Sequence, residues 1–277
     1  LQTADIVIKS PGISLYHPFV LALKQKGTPV TSLLNLWSAE KHAAKTIGVT
    51  GTKGKSTTAA LMAHALHKLG KKSALLGNIG APISETDVGD VDYIVIEVSS
   101  YQAADFDGMC DIGVLTSLYP EHLDWHKSLD VYYKDKLNLL KHARLKIINS
   151  ESSAALQSHC TGAGEMHLCN TPSSLHAEGE KIYNSTQLIG TLYNKHLSRP
   201  HNLVNVCMAL SVIDKLGLDT KAALAAMDDF EGLPHRQQEL GEKDGILFVN
   251  DSISTTPQSA IAALEVYRDK PVTIILG

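Results

Sequence analysis

Nothing in this chain approaches the roughly 18 consecutive apolar residues of a membrane-spanning helix, and residues 1–20 lack the basic and apolar regions of a secretory leader. The expectation is a soluble, cytoplasmic chain. Cysteine is sparse as well. Cys110, Cys160, Cys169 and Cys207 are scattered without a CxxC pair, which argues against a disulfide framework or a zinc site and for buried free thiols. The 13 histidines contain no HExxH and form no tract. Charge of one sign is nearly missing: 25 Lys and Arg against 29 Asp and Glu leave a net charge of −4. So weak a field offers no global attraction to nucleic acid or to an anionic membrane, and any anion site must be local. No internal repeat and no low-complexity segment is present.

What is there is core. With 44% hydrophobic residues, 277 residues suffice for one large or two ordinary domains. Short apolar runs at 6–8, 46–50, 73–76, 93–98, 112–116, 145–149, 246–249 and 272–276 read as strands. They alternate with amphipathic stretches at 17–26, 55–69, 129–142, 203–216, 220–228 and 257–267 that read as helices. Such alternation predicts an α/β protein with a mostly parallel sheet. Residues 151–200, rich in Ser, Thr and Gly, predict an antiparallel appendage instead. A lone βα unit cannot bury its faces. Residues 1–44 and 235–277 are therefore expected to be parts of two flanking domains around a central domain at 45–234.

The run Thr46-Ile47-Gly48-Val49-Thr50 leads directly into Gly51-Thr52-Lys53-Gly54-Lys55-Ser56-Thr57 and then into an Ala- and Leu-rich helix. Strand, glycine loop and helix is an arrangement that holds phosphate. The glycines let backbone N–H groups converge on oxygens, the helix N-terminus adds partial positive charge, Lys55 reaches the β and γ phosphates, and Ser56 ligates Mg²⁺. The loop is a shortened variant, since Val49 stands five positions before Gly54. The buried run 93–98 delivers Glu97 near its C-terminal end, where ligands of open α/β sheets collect, as a candidate Mg²⁺ ligand. Ser99, Ser100 and Gln102 then offer neutral hydrogen bonds to a substrate or simply cap the next turn. His122 follows the run 112–116 and is a candidate for the same metal. Lys136 lies one helix later, on what pattern alone reads as a solvated face.

In combination these pieces resemble the Mur ligase family. The matching segments are GTKGKSTT at 51–58, GNIGAP at 77–82, IEVSSYQ at 96–102, PEHLDWH at 120–126, the 132–136 helix, HNLVN at 201–205, GLPHR at 232–236 and NDSISTTP at 250–257. The resemblance is strongest to the glutamate-adding branch, whose opening signals are echoed by Ser10-Pro11-Gly12-Ile13 and His17-Pro18. It implies a central P-loop NTPase-like domain flanked by partial Rossmann-like domains, ATP and Mg²⁺ as cofactors, and an ATP-dependent amide ligase of peptidoglycan precursor synthesis. The implied substrates are UDP-N-acetylmuramoyl-L-alanine and glutamate, in a monomer, without nucleic acid or membrane.

Carried over residue by residue, the resemblance gives roles to many positions. Lys55, Glu97, His122 and Lys136 would be catalytic. Ser56 and Glu97 would hold one metal and His122 and Lys136 a second, the lysine as an Nζ-carbamate whose oxygens suit a hard ion. Gly51 to Thr57, Asn202, Asn205, Arg236 and Asp251 would bind ATP. Ser10, Gly12, Asn78, Ser99 and Gln102 would contact the muramoyl substrate. Lys53 and Ile253 replace the family's usual Asn and Lys, and Ile253 lies in the loop toward the amino acid. D-glutamate is the commoner choice in the family, and L-glutamate is the alternative. A folylpolyglutamate synthase is the rival enzyme, although its loop carries a further glycine that Gly54-Lys55-Ser56-Thr57 lacks. A nucleotide-binding module without ligase chemistry is the rival from another class.

Overall fold

A computed structural model describes every residue except 1–3, 41, 85, 160–162, 255–256 and 276–277. The chain forms two compact units, Leu1–Asp229 and Phe230–Gly277. The first opens with β1 (Val7–Ile8), α1 (Pro18–Gln25), β2 (Val30–Thr31) and α2 (Leu33–Ala39), with β1 and β2 paired in parallel. Then come β3 (Lys45–Thr50), α3 (Lys55–Lys68), β4 (Ser73–Gly77), β5 (Tyr93–Glu97), α4 (Ser100–Ala103), β6 (Cys110–Leu115), α5 (Leu123–His126), α6 (Leu129–Lys141), β7 (Ala143–Asn149), α7 (Ser153–His159) and β8 (Glu165–Cys169).

The main sheet has six strands in the order β4-β5-β3-β6-β7-β8, all parallel. Ile47, Val49, Ile94, Val95, Val114 and Leu115, on three of its four inner strands, have no exposed surface. Continuous apolar runs, rather than alternating ones, are what a sheet covered on both faces requires. The strand order places β3 between β5 and β6, so the loop that follows β3 is flanked by the C-terminal ends of both. Ligands of open α/β sheets collect at such strand ends.

Some expectations need correction. The antiparallel appendage exists, as β9 (Leu175–Glu178), β10 (Lys181–Asn184) and β11 (Gln187–Thr191). Residues 151–170, however, contain α7 and a strand of the main sheet, β8, which pairs in parallel with β7. The pattern Glu165-Met166-His167-Leu168-Cys169 is that of a largely exposed edge strand with polar and apolar residues mixed, which lacks the continuous apolar run of sheet core. The helix α2 was also unexpected. Seven residues make a marginal helix in water, but Leu34 and Trp37 enter the cluster formed by Ile94, Ile96, Phe106 and Leu139. Each such burial stabilises by about 1.5–3 kcal/mol, so tertiary packing holds α2 where propensity would not.

After the appendage, α8 (Pro200–Lys215) and α9 (Thr220–Ala226) complete the first unit, and α8 packs along α3. The second unit holds β12 (Gln238–Lys243), β13 (Ile246–Asn250) and α10 (Pro257–Val266). The polar strand β12 escaped the sequence reading, although its signal is present. Asp244 and Gly245, both at positive φ, join β12 to β13 in a tight hairpin turn. The strand expected at 272–276 is not formed over 272–275, which pair with no strand among the described residues; Leu276 is outside the described residues. Cys110, Cys169 and Cys207 are buried free thiols, and burial pushes Cys110 and Cys169 up to about 12. Cys160 lies outside the described residues. Among the described residues no helix is long and apolar enough to cross a membrane.

Candidate functional site

The phosphate-type loop is fixed from one side. Gly51 sits at φ +150°, and a Cβ there would stand 2.0 Å from Thr116 Oγ1; Gly54 sits at φ +87°, and a Cβ would meet Asn205 Oδ1 at 2.3 Å. Glycine is thus required by close approach of the scaffold as well as by backbone conformation. Thr52 N donates to Ser117 O (2.9 Å) and Lys53 N to Ser117 Oγ (2.8 Å). Lys53 O accepts from Thr116 Oγ1 (2.6 Å) and Ser117 Oγ (3.0 Å). The N–H groups of residues 52 and 53 are thus engaged by Ser117 in this structure. The start of α3, where the helix dipole is positive, is the part of the loop suited to an anion. Thr52 Oγ1 is held by Tyr119 O (3.1 Å) and Tyr132 Oη (2.8 Å), and Ser56 is buried in the first turn of α3.

A cavity of about 220 Å³ opens beside this loop. Its walls include Lys55, Asn78, Ser99, Gln102, His122 and Lys136, six of the residues expected from the sequence, drawn from five separate stretches of chain. Lys55 Nζ donates to Thr52 O (2.9 Å). Glu97 ends β5 with 1% exposure; its Oε1 accepts from Asn78 Nδ2 (3.3 Å), while its Oε2 is buried with no hydrogen-bond partner among the described residues. Ser99 and Gln102 form a capping box on α4: Ser99 N and Oγ both donate to Gln102 Oε1 (2.9 Å each), and Gln102 N donates to Ser99 Oγ (3.2 Å). Of the two roles left open for this pair, capping is the one made here, in the wall of the cavity.

The other wall holds His122 and Lys136. His122 adopts φ 55°, lies 5.0 Å from the Tyr101 ring, and has Nε2 3.4 Å from Glu121 Oε2. Burial holds its imidazole below the ordinary range, against the pull of Glu121 and with Lys136 and Lys55 adding to the effect. Burial raises the Glu121 carboxyl, but Lys53, whose Nζ lies 2.9 Å from Glu121 Oε1, outweighs that and holds it below its usual value. Lys136 corrects the solvated-face reading. It is 1% exposed, donates from Nζ to Gly51 O (2.7 Å), and sits 5.0 Å over the Tyr132 ring. Burial first, and then the Lys55 charge, hold its amine well below the ordinary lysine range. A neutral amine is the form that captures CO₂, so the environment suits the carbamate that the resemblance implies.

The remaining expected residues lie elsewhere. Pro11, rather than Ser10 or Gly12, reaches the cavity wall. Asn205 and Asn202 brace the back of the loop: Asn205 Oδ1 accepts from Thr58 Oγ1 (3.2 Å), Asn205 Nδ2 donates to Asn202 Oδ1 (3.3 Å), and Asn202 Nδ2 donates to His196 O (2.9 Å). Arg236 and Asp251 belong to the second unit, where Asp251 accepts from Gln237 N (3.0 Å) and Ser254 Oγ (2.7 Å). Sequence reasoning missed Glu121 and Tyr101 as wall residues. For Glu121 a signal existed, since it follows β6 much as Glu97 ends β5.

The donor set fits Mg²⁺ at Ser56 and Glu97. A hydroxyl and a carboxylate with an orphaned oxygen are hard ligands, and Mg²⁺ uses one or two carboxylates with substrate phosphates rather than a full protein cage. Among the described residues no group of three His, Cys, Asp or Glu is placed to hold a metal by itself.

Residues 49–213 match the family described as the Mur ligase middle domain. A UDP-N-acetylmuramoyl-L-alanine–L-glutamate ligase of Micromonospora sp. is 38% identical over 100% of this chain and 62% of its own length. One of the same name from Xanthomonas oryzae pv. oryzae is 40% identical over 99% of this chain and 61% of its own. The chain thus spans about three fifths of the curated relatives it matches. Among solved structures, a UDP-N-acetylmuramate–alanine ligase from Thermotoga maritima superposes with a TM-score of 0.63 at 20% identity, covering 95% of this chain and 64% of that one. That likeness bears on the fold alone.

Proposed function

This chain belongs to the Mur ligase family, and from that premise we propose that it carries the nucleotide and muramoyl sites of an ATP-dependent ligase that joins glutamate to UDP-N-acetylmuramoyl-L-alanine. The observation that carries the reading is Glu97 Oε2, buried without a hydrogen-bond partner among the described residues, on the strand next to a lysine-bearing phosphate loop. Burying a carboxylate oxygen unpaired is costly unless a cation completes it. The reading divides the chain into a part of a UDP-binding domain (1–44), the central ATP-binding domain (45–234) and the start of a third domain (235–277). It describes a cytoplasmic monomer.

In the proposed reaction the terminal carboxylate of the muramoyl substrate attacks the γ-phosphate of ATP to give an acyl phosphate and ADP. The amine of glutamate then displaces phosphate and forms the amide. Lys55 and the N-terminus of α3 offset the negative charge that builds between two anions. Asn78, Ser99 and Gln102 line the wall that would orient the carboxylate, and positioning of this kind supplies much of the rate. Ser56 and Glu97 would hold Mg²⁺, and His122 with carbamylated Lys136 a second ion. Bound there, the ions supply further neutralisation of phosphate charge.

The first-described relatives carry L-glutamate in their names, so the proposal takes the L-isomer, which the sequence reading held as the alternative. ADP release by the full-length ligase, measured with UDP-N-acetylmuramoyl-L-alanine and either L- or D-glutamate, tests both levels. Release that needs the muramoyl substrate and L-glutamate is the expected result. Release with D-glutamate alone would overturn the isomer, and no release with either would overturn the ligase.

A further inference from the structure

Beside the proposed site runs a buried polar chain that the reaction above does not use. His126 has no exposed surface, and its Nδ1 lies 2.7 Å from Asp135 Oδ2 while its Nε2 lies 3.1 Å from Ser100 Oγ. Asp135 is 5% exposed and Ser100 3% exposed. Tyr16 Oη donates to both oxygens of Asp135, at 2.8 and 2.9 Å. Four groups from four separate stretches of chain are thus joined end to end.

Both walls of the cavity hang on this chain. Ser100 itself lines the cavity on the α4 side, between Ser99 and Tyr101, which line it too. Asp135 precedes Lys136, the lining residue on the α6 side. The short helix α5, four residues long, lies between them and cannot hold its shape by helix formation alone. From outside, Ser14 Oγ donates to Trp125 O (2.8 Å), and the Tyr16 ring stands edge-on to Trp125 at 6.1 Å. Buried polar networks are seldom the most stable way to fill a core, since apolar residues of similar volume often do as well or better. What such a network supplies is direction: hydrogen bonds fix distance and angle where apolar contact allows sliding.

We propose that His126 and Asp135 are positioning residues, a strut that sets the Ser100 wall and the Lys136 turn at a fixed separation, with Tyr16 locking the strut from the N-terminal segment. The link to catalysis rests on the ligase reading; the strut itself does not. Misplacement by about 1 Å can lower a rate by about 10²-fold, so cutting the strut should act on turnover. The braces of the phosphate loop, Thr116 and Ser117, are not part of it.

Two variants cut the same link. Ser100→Ala removes the hydroxyl, and His126→Asn keeps a donor near the Nδ1 position but no longer reaches Ser100. Each should lower kcat for ADP release about tenfold with nucleotide Kd within about twofold, and the double variant should be no worse than either alone, as for groups that act as a unit. Losses that multiply in the double variant would overturn the strut. The second measurement does not depend on ligase activity. Acetic anhydride labelling, read by peptide mass spectrometry, compares Lys136 with Lys146, another lysine of 1% exposure on β7. The proposal requires Lys136 to label several-fold faster in both variants while Lys146 stays unchanged. Unchanged labelling of Lys136, or equal acceleration of both lysines, would show a packing role only. If the full-length wild-type ligase releases no ADP, the ligase reading fails and the labelling ratio still decides the strut.

Discussion

The two strands that flank β3 end in opposite ways. On the β5 side, Glu97 presents a buried oxygen that no described residue satisfies with a hydrogen bond. On the β6 side, Thr116 and Ser117 hydrogen-bond to the phosphate loop, and Glu121 is shared between Lys53 and His122. One flank leaves a buried carboxylate oxygen without a partner among the described residues, whereas the other spends Thr116, Ser117 and Glu121 on bonds within the protein. The asymmetry teaches that residues of one chemical type, placed at equivalent ends of neighbouring strands, divide into binding and bracing according to what they already touch.

Substitutions can break or sharpen this contrast, and the largest effect belongs to the lysine between the flanks. Lys55→Ala should lower ADP release by about 10³-fold or more, the scale of removing a key charge-stabilising donor. Near-normal turnover in that variant would dissolve the site on which the contrast is built. On the β5 flank, Glu97→Gln should lower turnover by about 10²-fold and leave the ligand-free protein at least as stable as the wild type. A neutral amide with one unmet group costs less to bury than an unpartnered carboxylate oxygen. Turnover and thermal midpoint measured on the same preparation decide this. If both fall together, Glu97 is scaffold after all and the two flanks are alike.

The sequence made the β5 flank legible and left most of the β6 flank dark, for physical reasons. Strand, glycine loop and helix follow one another in the chain, and Glu97 stands out because it ends a buried apolar run. Lys136 does not stand out, since Lys134, two residues before it, is exposed and Lys136 is not. Only the fold turns that side of α6 toward Gly51 O, and the resemblance to the Mur ligases, rather than pattern, singled the residue out. The four-residue helices α4 and α5 are too short to show a period. The Tyr16 to Asp135 bond joins residues 119 positions apart, and no local rule encodes it. In the second unit the Asp244-Gly245 turn was readable and went unread, because β12 beside it is polar and did not look like a strand.

A smaller effect of opposite sign should come from the β6 flank. Thr116→Val keeps the shape and removes the hydroxyl that donates to Lys53 O at 2.6 Å. Loss of a buried hydrogen bond costs about 1–2 kcal/mol, so the urea midpoint should fall where that of Glu97→Gln does not. Nucleotide affinity should weaken only a few-fold, since Ser117 still holds the loop. A variant as stable as the wild type would show that Thr116 braces nothing.

The smallest expected effect separates the two carboxylates by pH. Glu121 is held below its ordinary value because the Lys53 ammonium outweighs burial, so near pH 4 the unfolded chain binds more protons at this position than the folded one. Stability from this pair is therefore complete above the unfolded carboxyl value and is lost as pH falls through the lower folded value. Half-exposed Lys53 keeps the pair in partial contact with water, and screening makes its contribution modest. Glu121→Gln should accordingly lower the thermal midpoint slightly at about pH 6, and the gap from wild type should close toward about pH 3. High salt should narrow the same gap at about pH 6, since an ion pair open to solvent is screened. A gap that persists at low pH would mean that Glu121 acts through its shape and not its charge. The two flanks would then differ in geometry alone.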